Sequence, residues 1–296
     1  MALVVTLPAS VSRVDGPGGL SKLTIASRRA SGEMFEQGAH LTAWRPEGAE
    51  PVLWVSRQSQ YQPGRPIRGG VPICFPWFAA HPGDAAAPMH GFARIRPWSL
   101  IAADDRDGTV HLAFSLADDE VSRRTPWPHA FRAEFRVAFG DRLAMALDIA
   151  NTGRSPVSFE AALHTYLAVR DIRAVEVTGL AGSEYLDKTD GLARKRQGSA
   201  PLRFDAETDR VYLDTEAACV VHDAGMRRRI EVAKTGSRST VVWNPWIAKA
   251  AAMPDFGDDE WTGMVCIETA NVGQSAVRLE PDSHHTMTAV IAVAAL

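Results

Sequence analysis

"GDRLAMALDIANTG" occupies residues 140–153 and carries the alternation on which the fold prediction depends. Four large apolar side chains, from Leu143 to Ile149, recur at every second position, with alanines and an aspartate between them. Gly-Asp precedes the run and Asn-Thr-Gly follows it, as turn residues do at both ends of a strand. Because the side chains of a strand alternate between its two faces, this stretch predicts a half-buried strand.

Period-two patterns recur further along the chain. They predict short strands at 159–168, 211–213, 219–222, 230–232, 240–243, 264–269 and 286–294. Helical periodicity is nowhere sustained beyond two turns, and no repeat of fixed period or long linker divides the chain. Strands at this spacing, with turn residues between them, indicate an all-β sandwich or barrel. Large all-β folds often reach this length as one unit, so we expect a single domain over residues 1–296.

The segment from Tyr61 to Pro97 differs from the rest. Prolines recur through it, among them Pro66, Pro72, Pro76, Pro82, Pro88 and Pro97. Proline cannot donate a backbone hydrogen bond and therefore interrupts regular ladders. The segment is predicted to form ordered loops and short strands, the kind of surface on which sites are often built.

Composition excludes several classes of partner. The formal net charge is −3 and the pI is near 6.3, so no global positive field attracts nucleic acid or anionic lipid. No apolar run approaches the ~20 residues needed to span a membrane. The apolar stretch Ala2–Leu7 is too short for a signal peptide, and Cys74, Cys219 and Cys266 form no disulfide framework. We expect a cytoplasmic protein with reduced thiols.

Two patches of the proline-rich segment could bind an anion. Arg68 precedes Gly69-Gly70, and two glycines can let a ligand approach the backbone closely. The competing interpretation is a glycine-rich turn with a solvated arginine. His90 and Arg94 lie four residues apart in the stretch MHGFAR, where a packed loop histidine is the alternative.

Two strand positions could carry acid–base chemistry. On the strand 159–168, His164 shares a face with Ala162 and Tyr166, which suits a sugar cleft and also a hydrogen-bonded core histidine. Glu268 follows apolar residues, including Cys266, on its own face, and the alternative is an edge glutamate in water. Burial of such a carboxyl would raise its pKa toward neutrality, as proton transfer at physiological pH requires.

Other catalytic chemistries lack their signatures. The candidate ligands His81, His90, His164 and His284-His285 show no metal-ligand spacing, so no metal or other cofactor is expected. The sequence contains no nucleophile elbow, no phosphate-binding P-loop and no dinucleotide fingerprint after a strand. Acyl transfer, nucleotide hydrolysis and hydride transfer are therefore not predicted.

Six stretches together carry a resemblance to a known family. They are IRGGVPICFPWF (67–78), HGFAR (90–94), ALHTYL (162–167), TDRVY (208–212), VVWNPW (241–246) and MVCIETAN (264–271). Each is moderately specific, but as an ordered set they resemble the hexose-6-phosphate mutarotases, or glucose-6-phosphate 1-epimerases, of the aldose 1-epimerase superfamily. The resemblance implies a galactose-mutarotase-like β-supersandwich and an isomerase that needs no cofactor.

The resemblance also implies roles for six residues. His164 would be the general acid and Glu268 the general base of the anomer interconversion. Asp209 would hold sugar hydroxyls, and Arg68 and Arg94 would bind the phosphate of a small sugar phosphate. His90 would line the same cleft.

One departure from the family stands before HGFAR. Where the family commonly has a substrate-contacting glutamine, this chain has Met89, whose thioether offers no amide donor or acceptor. One polar contact is thus lost or replaced, and the preferred hexose stays open. Three alternatives remain: an epimerase of unphosphorylated aldoses, a carbohydrate-binding β-sandwich without turnover, and a glycoside hydrolase using Glu268 and Asp209. We expect a monomer with no nucleic-acid or membrane partner.

Overall fold

The structure, a computed structural model, describes residues 5–296, so the first half of the Ala2–Leu7 stretch lies outside the described residues. The described residues form 22 strands: β1 Val11–Asp15, β2 Ser21–Ala26, β3 Ala30–Phe35, β4 His40–Pro46, β5 Ile73–Cys74, β6 Ser99–Arg106, β7 Thr109–Ala117, β8 Phe131–Phe139, β9 Arg142–Asn151, β10 Val157–Phe159, β11 Ala161–Leu163, β12 Tyr166–Ala168, β13 Val175–Thr178, β14 Glu184–Asp187, β15 Ala193–Arg196, β16 Thr208–Tyr212, β17 Cys219–Asp223, β18 Arg228–Thr235, β19 Ser239–Asn244, β20 Met264–Asn271, β21 Val277–Leu279 and β22 His284–Ala295.

Helical structure is short. The one α-helix among residues 5–296 is α1, Trp246–Ala251. Single 3₁₀ turns occur at Pro17–Gly19, Ala93–Ile95, Ser122–Arg124, Ile172–Ala174, Lys188–Asp190, Glu260–Gly263 and Gly273–Ser275. No helix in the described part of the chain is both long and apolar enough to cross a membrane. The all-β fold class is confirmed.

Two eight-stranded antiparallel sheets dominate the fold. In the first, which we call the site sheet, the order is β15-β14-β16-β19-β20-β11-β5, and β12 also pairs with β20. In the second, the order is β13-β17-β18-β22-β9-β8-β7-β6. The strands β1 to β4 form a separate four-stranded meander, and β10 pairs with β21. One large core contains buried residues of both eight-stranded sheets and of the meander.

Alternation explains why the second sheet faces this core. In β9, Leu143, Met145, Leu147 and Ile149 are all buried, as the sequence predicted. The phenylalanines at both ends of β8, Phe131 and Phe139, lie on the same side, because β8 and β9 are paired in register. Apolar side chains on one face of adjacent strands bury together and supply the main favourable term of folding.

Seven of the eight predicted strands overlap single observed strands, and the eighth is wrong in its continuity. The predicted strand 159–168 consists of β10, β11 and β12, with breaks at Glu160 and at His164-Thr165. At the second break the N–H of Thr165 turns back to the carbonyl oxygen of Leu163 at 2.9 Å, while the N–H of His164 donates to Pro72 in the register of the β11–β5 pair. The prediction for Tyr61 to Pro97 is confirmed, since it contains only β5, one 3₁₀ turn and isolated bridges. A single domain over 1–296 stays a prediction.

Candidate active site

The floor of the candidate site is one face of the site sheet. Directly opposed residues of antiparallel strands share a face. Asp209 on β16 lies opposite Trp243 on β19, Trp243 opposite Cys266 on β20, and Cys266 opposite Tyr166 on β12. Glu268 lies two residues after Cys266 on β20 and therefore on the same face of the sheet. The alternation that predicted Glu268 on the face of Cys266 therefore describes a real strand face.

Register also brings His164 to Glu268. The pairing of β11 and β12 with β20 keeps one register across the break, with Leu163 opposite Thr269 and Tyr166 opposite Cys266. This register places His164 opposite Glu268, and Nε2 of His164 lies 3.3 Å from Oε1 of Glu268. Two side chains 104 positions apart in sequence thus form one acid–base pair because their strands are neighbours.

The wall of the site comes from the proline-rich segment. Gly69 and Gly70 have positive φ, and a Cβ on Gly70 would lie 2.2 Å from the carbonyl oxygen of Leu41. The idea that these glycines admit a ligand is therefore corrected: they admit the protein's own backbone. This close contact fixes the turn that follows Arg68.

A single cavity of about 570 Å³ lies between floor and wall. All six residues singled out in the sequence line it: Arg68, His90, Arg94, His164, Asp209 and Glu268. Met89, Lys188 and Lys249 line it as well, with Phe78 and Trp243 among its apolar surfaces. Its size falls within the range of small-molecule sites.

Glu268 is enclosed by the protein. Its side chain is 1% exposed, and Oε2 has no hydrogen-bond partner among the described residues. Burial raises the pKa of Glu268 well above its usual value, and the negative charge of Asp209 adds to the effect. The edge glutamate in water is excluded, and the predicted direction of the shift is found.

His164 is equally enclosed. Its ring stacks on that of Tyr166 with centroids 4.7 Å apart, and Nδ1 has no hydrogen-bond partner within residues 5–296. Burial lowers the pKa of His164 well below its usual value, and the positive charges of Arg94 and Arg68 act in the same direction. These effects favour the neutral imidazole.

His90 has a defined tautomer. The backbone N–H of Ala79 donates to its Nδ1 at 3.2 Å, so the ring proton of the neutral imidazole lies on Nε2. Its ring meets that of His164 edge to face, with centroids 5.6 Å apart. Burial, followed by the charge of Arg94, lowers the pKa of His90 well below its usual value. His90 thus lines the cavity as a neutral donor.

Arg94 is a buried cation. Its Nη2 donates to the carbonyl oxygen of Met89 at 2.7 Å, and its buried Nε has no hydrogen-bond partner among residues 5–296. No carboxylate lies within ion-pair distance of it in the part of the chain that the structure describes. Burial lowers the pKa of Arg94 from its usual value. A desolvated guanidinium of this kind favours an anionic ligand.

Arg68 has two protein partners. Its Nε and Nη2 donate to the carboxylate of Asp255 at 3.0–3.2 Å, and its Nη1 donates to Oη of Tyr166 at 3.2 Å. Burial acts to lower the pKa of Arg68, but Tyr166 and Asp255 outweigh it and raise the pKa above its usual value. A solvated arginine is therefore excluded, since Arg68 is held in a fixed orientation.

Comparison with known proteins identifies the family. The model of the aldose 1-epimerase family matches residues 21–292. This chain belongs to the aldose 1-epimerase family. It is therefore an isomerase of the mutarotase class, as the resemblance implied.

Curated relatives of this aldose 1-epimerase cover most of its length. A protein of Salmonella typhimurium named "putative glucose-6-phosphate 1-epimerase" is 39% identical over 250 residues, which are 83% of this chain and 82% of the relative. A protein of Cenchrus ciliaris with the same name is 35% identical over 278 residues, 90% of this chain and 83% of the relative.

Solved structures confirm the predicted galactose-mutarotase-like fold. The crystal structure of a "putative mutarotase" from Salmonella typhimurium superposes with a TM-score of 0.92 at 33% identity and covers 99% of this chain and 96% of its own. A galactose mutarotase-like protein from Clostridium acetobutylicum has a TM-score of 0.71 at 11% identity, and the match covers 97% of this chain and 98% of that protein. At this identity it shows the shared fold alone.

Several residues of this epimerase's cavity escaped the sequence analysis. Lys188 lies in a 3₁₀ turn after β14, and its Nζ is 3.0 Å from Oδ2 of Asp209. Lys249 on α1 pairs with Glu207 at 2.7 Å. A lone lysine in a polar turn carries no signal of a site, and only the fold reveals its position. No group of three His, Cys, Asp or Glu within residues 5–296 is arranged as metal ligands would be.

Proposed function

We propose that this aldose 1-epimerase interconverts the α and β anomers of a hexose 6-phosphate, with Glu268 as general base and His164 as general acid. The supporting observation is their contact at 3.3 Å in a cavity also lined by four cationic side chains. The cations are Arg68, Arg94, Lys188 and Lys249. An acid–base pair suits ring opening, and the cationic lining suits an anionic sugar.

The reaction requires two proton movements. Glu268 removes the proton of the C1 hydroxyl while His164 delivers a proton to the ring oxygen, so the C1–O5 bond breaks and C1 becomes a carbonyl. Rotation about C1–C2 presents the other face of the carbonyl. The ring oxygen then attacks C1 as the two residues exchange roles, and both protons return. Each positioned group is worth roughly 10²- to 10⁴-fold in rate.

The substrate's charge acts on the protonation of His164. Burial opposes charge on both Glu268 and His164, so the pair favours the neutral state with its proton on Glu268. Arg94 and Arg68 add to the cost of protonating His164. Arg94 and Lys188 also act on Glu268, where they favour the carboxylate. A bound phosphate neutralises these cations and so lowers the cost of protonating His164, the form that a general acid needs.

The remaining lining residues fit a sugar's hydroxyls. Asp209 offers acceptors while Lys188 and the Nε2–H of His90 offer donors, as a polyhydroxylated ring requires. Trp243, which meets His164 edge to face at 6.0 Å, gives the cavity an apolar surface for the C–H faces of the sugar. The backbone carbonyl of Met89 accepts a hydrogen bond from Arg94. Met89 therefore helps to position an arginine proposed to bind the phosphate, although it has no side-chain amide.

Polarimetry with two substrates tests the proposal. Anomerisation should be faster with glucose 6-phosphate than with glucose, expressed as kcat/KM for each. Equal or greater activity on free glucose would instead identify an epimerase of unphosphorylated aldoses. Binding of either sugar without any acceleration would identify a carbohydrate-binding protein.

A further inference from the structure

Asp255 is an acidic residue placed against the anion-binding side of the cavity. It lies after α1 in the sequence Pro254-Asp255-Phe256, and its side chain is 15% exposed. Its two carboxylate oxygens accept from Nε and Nη2 of Arg68, a side-on arrangement. The sequence gives no reason to connect these two residues, which are 187 positions apart.

Arg68 keeps donors for a ligand despite these contacts. A guanidinium has five N–H groups. Asp255 takes one from Nε and one from Nη2, and Tyr166 takes one from Nη1. One N–H on each terminal nitrogen is left, and Arg68 lines the cavity. An anion can therefore bind end-on to Arg68 while Asp255 stays in place.

The two arginines differ in charge balance. Arg94 has no carboxylate partner among the described residues, whereas Arg68 is paired with Asp255 at 3.0 Å. A phosphate at Arg68 therefore meets a fixed negative charge on the far side of the same guanidinium. The phosphate and the carboxylate of Asp255 carry like charges on two sides of one guanidinium. They repel each other, most strongly where water is excluded.

We propose that Asp255 is a built-in counter-ion that weakens the cavity's hold on the substrate's phosphate, and so sets KM and the release of product. This inference rests on the proposed function. It makes Asp255 a residue that determines affinity without touching the sugar. The same carboxylate stabilises the buried charge of Arg68.

A purely structural role predicts the opposite effect. Phe256, next to Asp255, packs on Trp54 with centroids 4.9 Å apart, and Trp54 stacks on Tyr166. If Asp255 only held this loop and Arg68 in place, its loss would weaken anion binding. If Asp255 acts as a counter-ion, its loss should strengthen anion binding. The sign of the change in anion affinity therefore separates the two roles.

The test measures inorganic phosphate binding by calorimetry in Asp255→Asn, an isosteric change that keeps an acceptor for Nε–H of Arg68. Removing an adjacent charge of this kind should tighten phosphate binding on the order of tenfold and lower KM for glucose 6-phosphate in proportion. KM for glucose, where measurable, should not change. Asp258→Asn is the matched control, because Asp258 is an exposed acid of the same loop and forms no ion pair with any described residue. It should leave phosphate affinity within about twofold.

Unchanged or weaker phosphate binding in Asp255→Asn, with a native circular dichroism spectrum, would overturn the inference. Asp255→Ser, which also removes the charge but keeps a polar side chain, must show the same tightening and provides the test if the asparagine variant does not fold. The proposed function fails separately: wild-type protein that binds phosphate but does not anomerise hexose 6-phosphates would contradict the reaction and leave the comparison of phosphate affinities valid.

Discussion

At the scale of single residues, we propose that Glu268 and His164 act as a unit. They are opposed across β20 and the β11–β12 break, and Nε2 of His164 lies 3.3 Å from Oε1 of Glu268. Glu268→Gln keeps the shape but removes the base, and His164→Asn removes the acid. Each should lower kcat for glucose 6-phosphate by at least ~10²-fold. The double variant should lose less than the product of the two losses, because either loss already stops the proton cycle.

Initial rates on purified variants, with folding checked by thermal unfolding, measure this coupling. A single variant with wild-type turnover and a native fold would remove that residue from the proton cycle. Multiplicative losses in the double variant would show two independent contributions.

The second residue-scale prediction concerns the two arginines. Charge-assisted hydrogen bonds are worth about 1.5–3 kcal/mol each, so Arg68→Ala or Arg94→Ala should lower kcat/KM for the phosphorylated hexose roughly 10- to 150-fold, mainly through KM. Activity on free glucose should hardly change. Lysine at either position should restore only part of the loss, because a point charge cannot reproduce paired guanidinium contacts.

Arg68→Ala also leaves Asp255 uncompensated near the phosphate. Adding Asp255→Asn to Arg68→Ala should therefore recover part of the affinity for glucose 6-phosphate. Adding Asp255→Asn to Arg94→Ala should increase that affinity by no larger a factor. Losses of equal size on phosphorylated and free sugars would show that the arginines support the loop and do not bind the phosphate.

At the scale of elements, the turn that carries Arg68 depends on a buried histidine. Nε2 of His40, in β4, donates to the carbonyl oxygen of Gly69 at 2.7 Å. Burial lowers the pKa of His40 to about 4 from an ordinary value of 6.5. The unfolded chain therefore binds a proton more readily than the folded one. The contribution of neutral His40 to the free energy of unfolding is fully present above pH 6.5. It is lost as the pH falls from 6.5 toward 4.

Urea unfolding at pH 7 and pH 5 measures this loss. The wild-type protein should lose about 2 kcal/mol of unfolding free energy from His40 alone between these pH values. His40→Gln, whose amide can still donate to Gly69, should lose about 2 kcal/mol less over the same interval, because glutamine does not titrate. His90 and His164 contribute in the same direction and remain in both proteins. An identical pH dependence in the variant would contradict this account of His40.

Sequence patterns predicted those elements whose alternation is visible locally. The strand β9 is an example, and its neighbour β8 (FRAEFRVAF) alternates as clearly, although it was not assigned. Three of the four side chains of β15 (ARKR) are charged, so no apolar period could reveal this strand. The break at His164-Thr165 is a tight local turn, in which the N–H of Thr165 donates to the carbonyl oxygen of Leu163, and the alternation of side chains does not display it.

The same limit applies to the site. Six lining residues were named from motifs and resemblance, and all six line one cavity. Their contacts depend on strand register and loop packing, which a sequence does not display. Lys188 and Asp255 were missed because each acquires meaning only through its partner, Asp209 or Arg68. Their assigned roles stay proposals until tested.

At the scale of the whole molecule, a net charge of −3 coexists with four cations in one cavity. This arrangement would attract a small anionic sugar locally, as the proposed function requires. The absence of a nucleic-acid partner, the monomeric state and the cytoplasmic location stay predictions.

We predict that the activity of the whole protein does not depend on a metal ion. The reaction moves only protons, and the residues proposed for it are ordinary acid–base groups. Dialysis against a strong chelator should therefore leave kcat and KM for glucose 6-phosphate unaltered. Loss of activity that one specific divalent ion restores would indicate metal-assisted chemistry instead.

The most direct measurement is exchange NMR of the C1 protons of glucose 6-phosphate at anomeric equilibrium, with catalytic amounts of protein. Wild-type protein should transfer magnetisation between the α and β signals well above the rate in buffer, and Glu268→Gln should return the rate to nearly that of buffer. Wild-type exchange no faster than buffer would contradict the central claim that this cavity anomerises a hexose 6-phosphate.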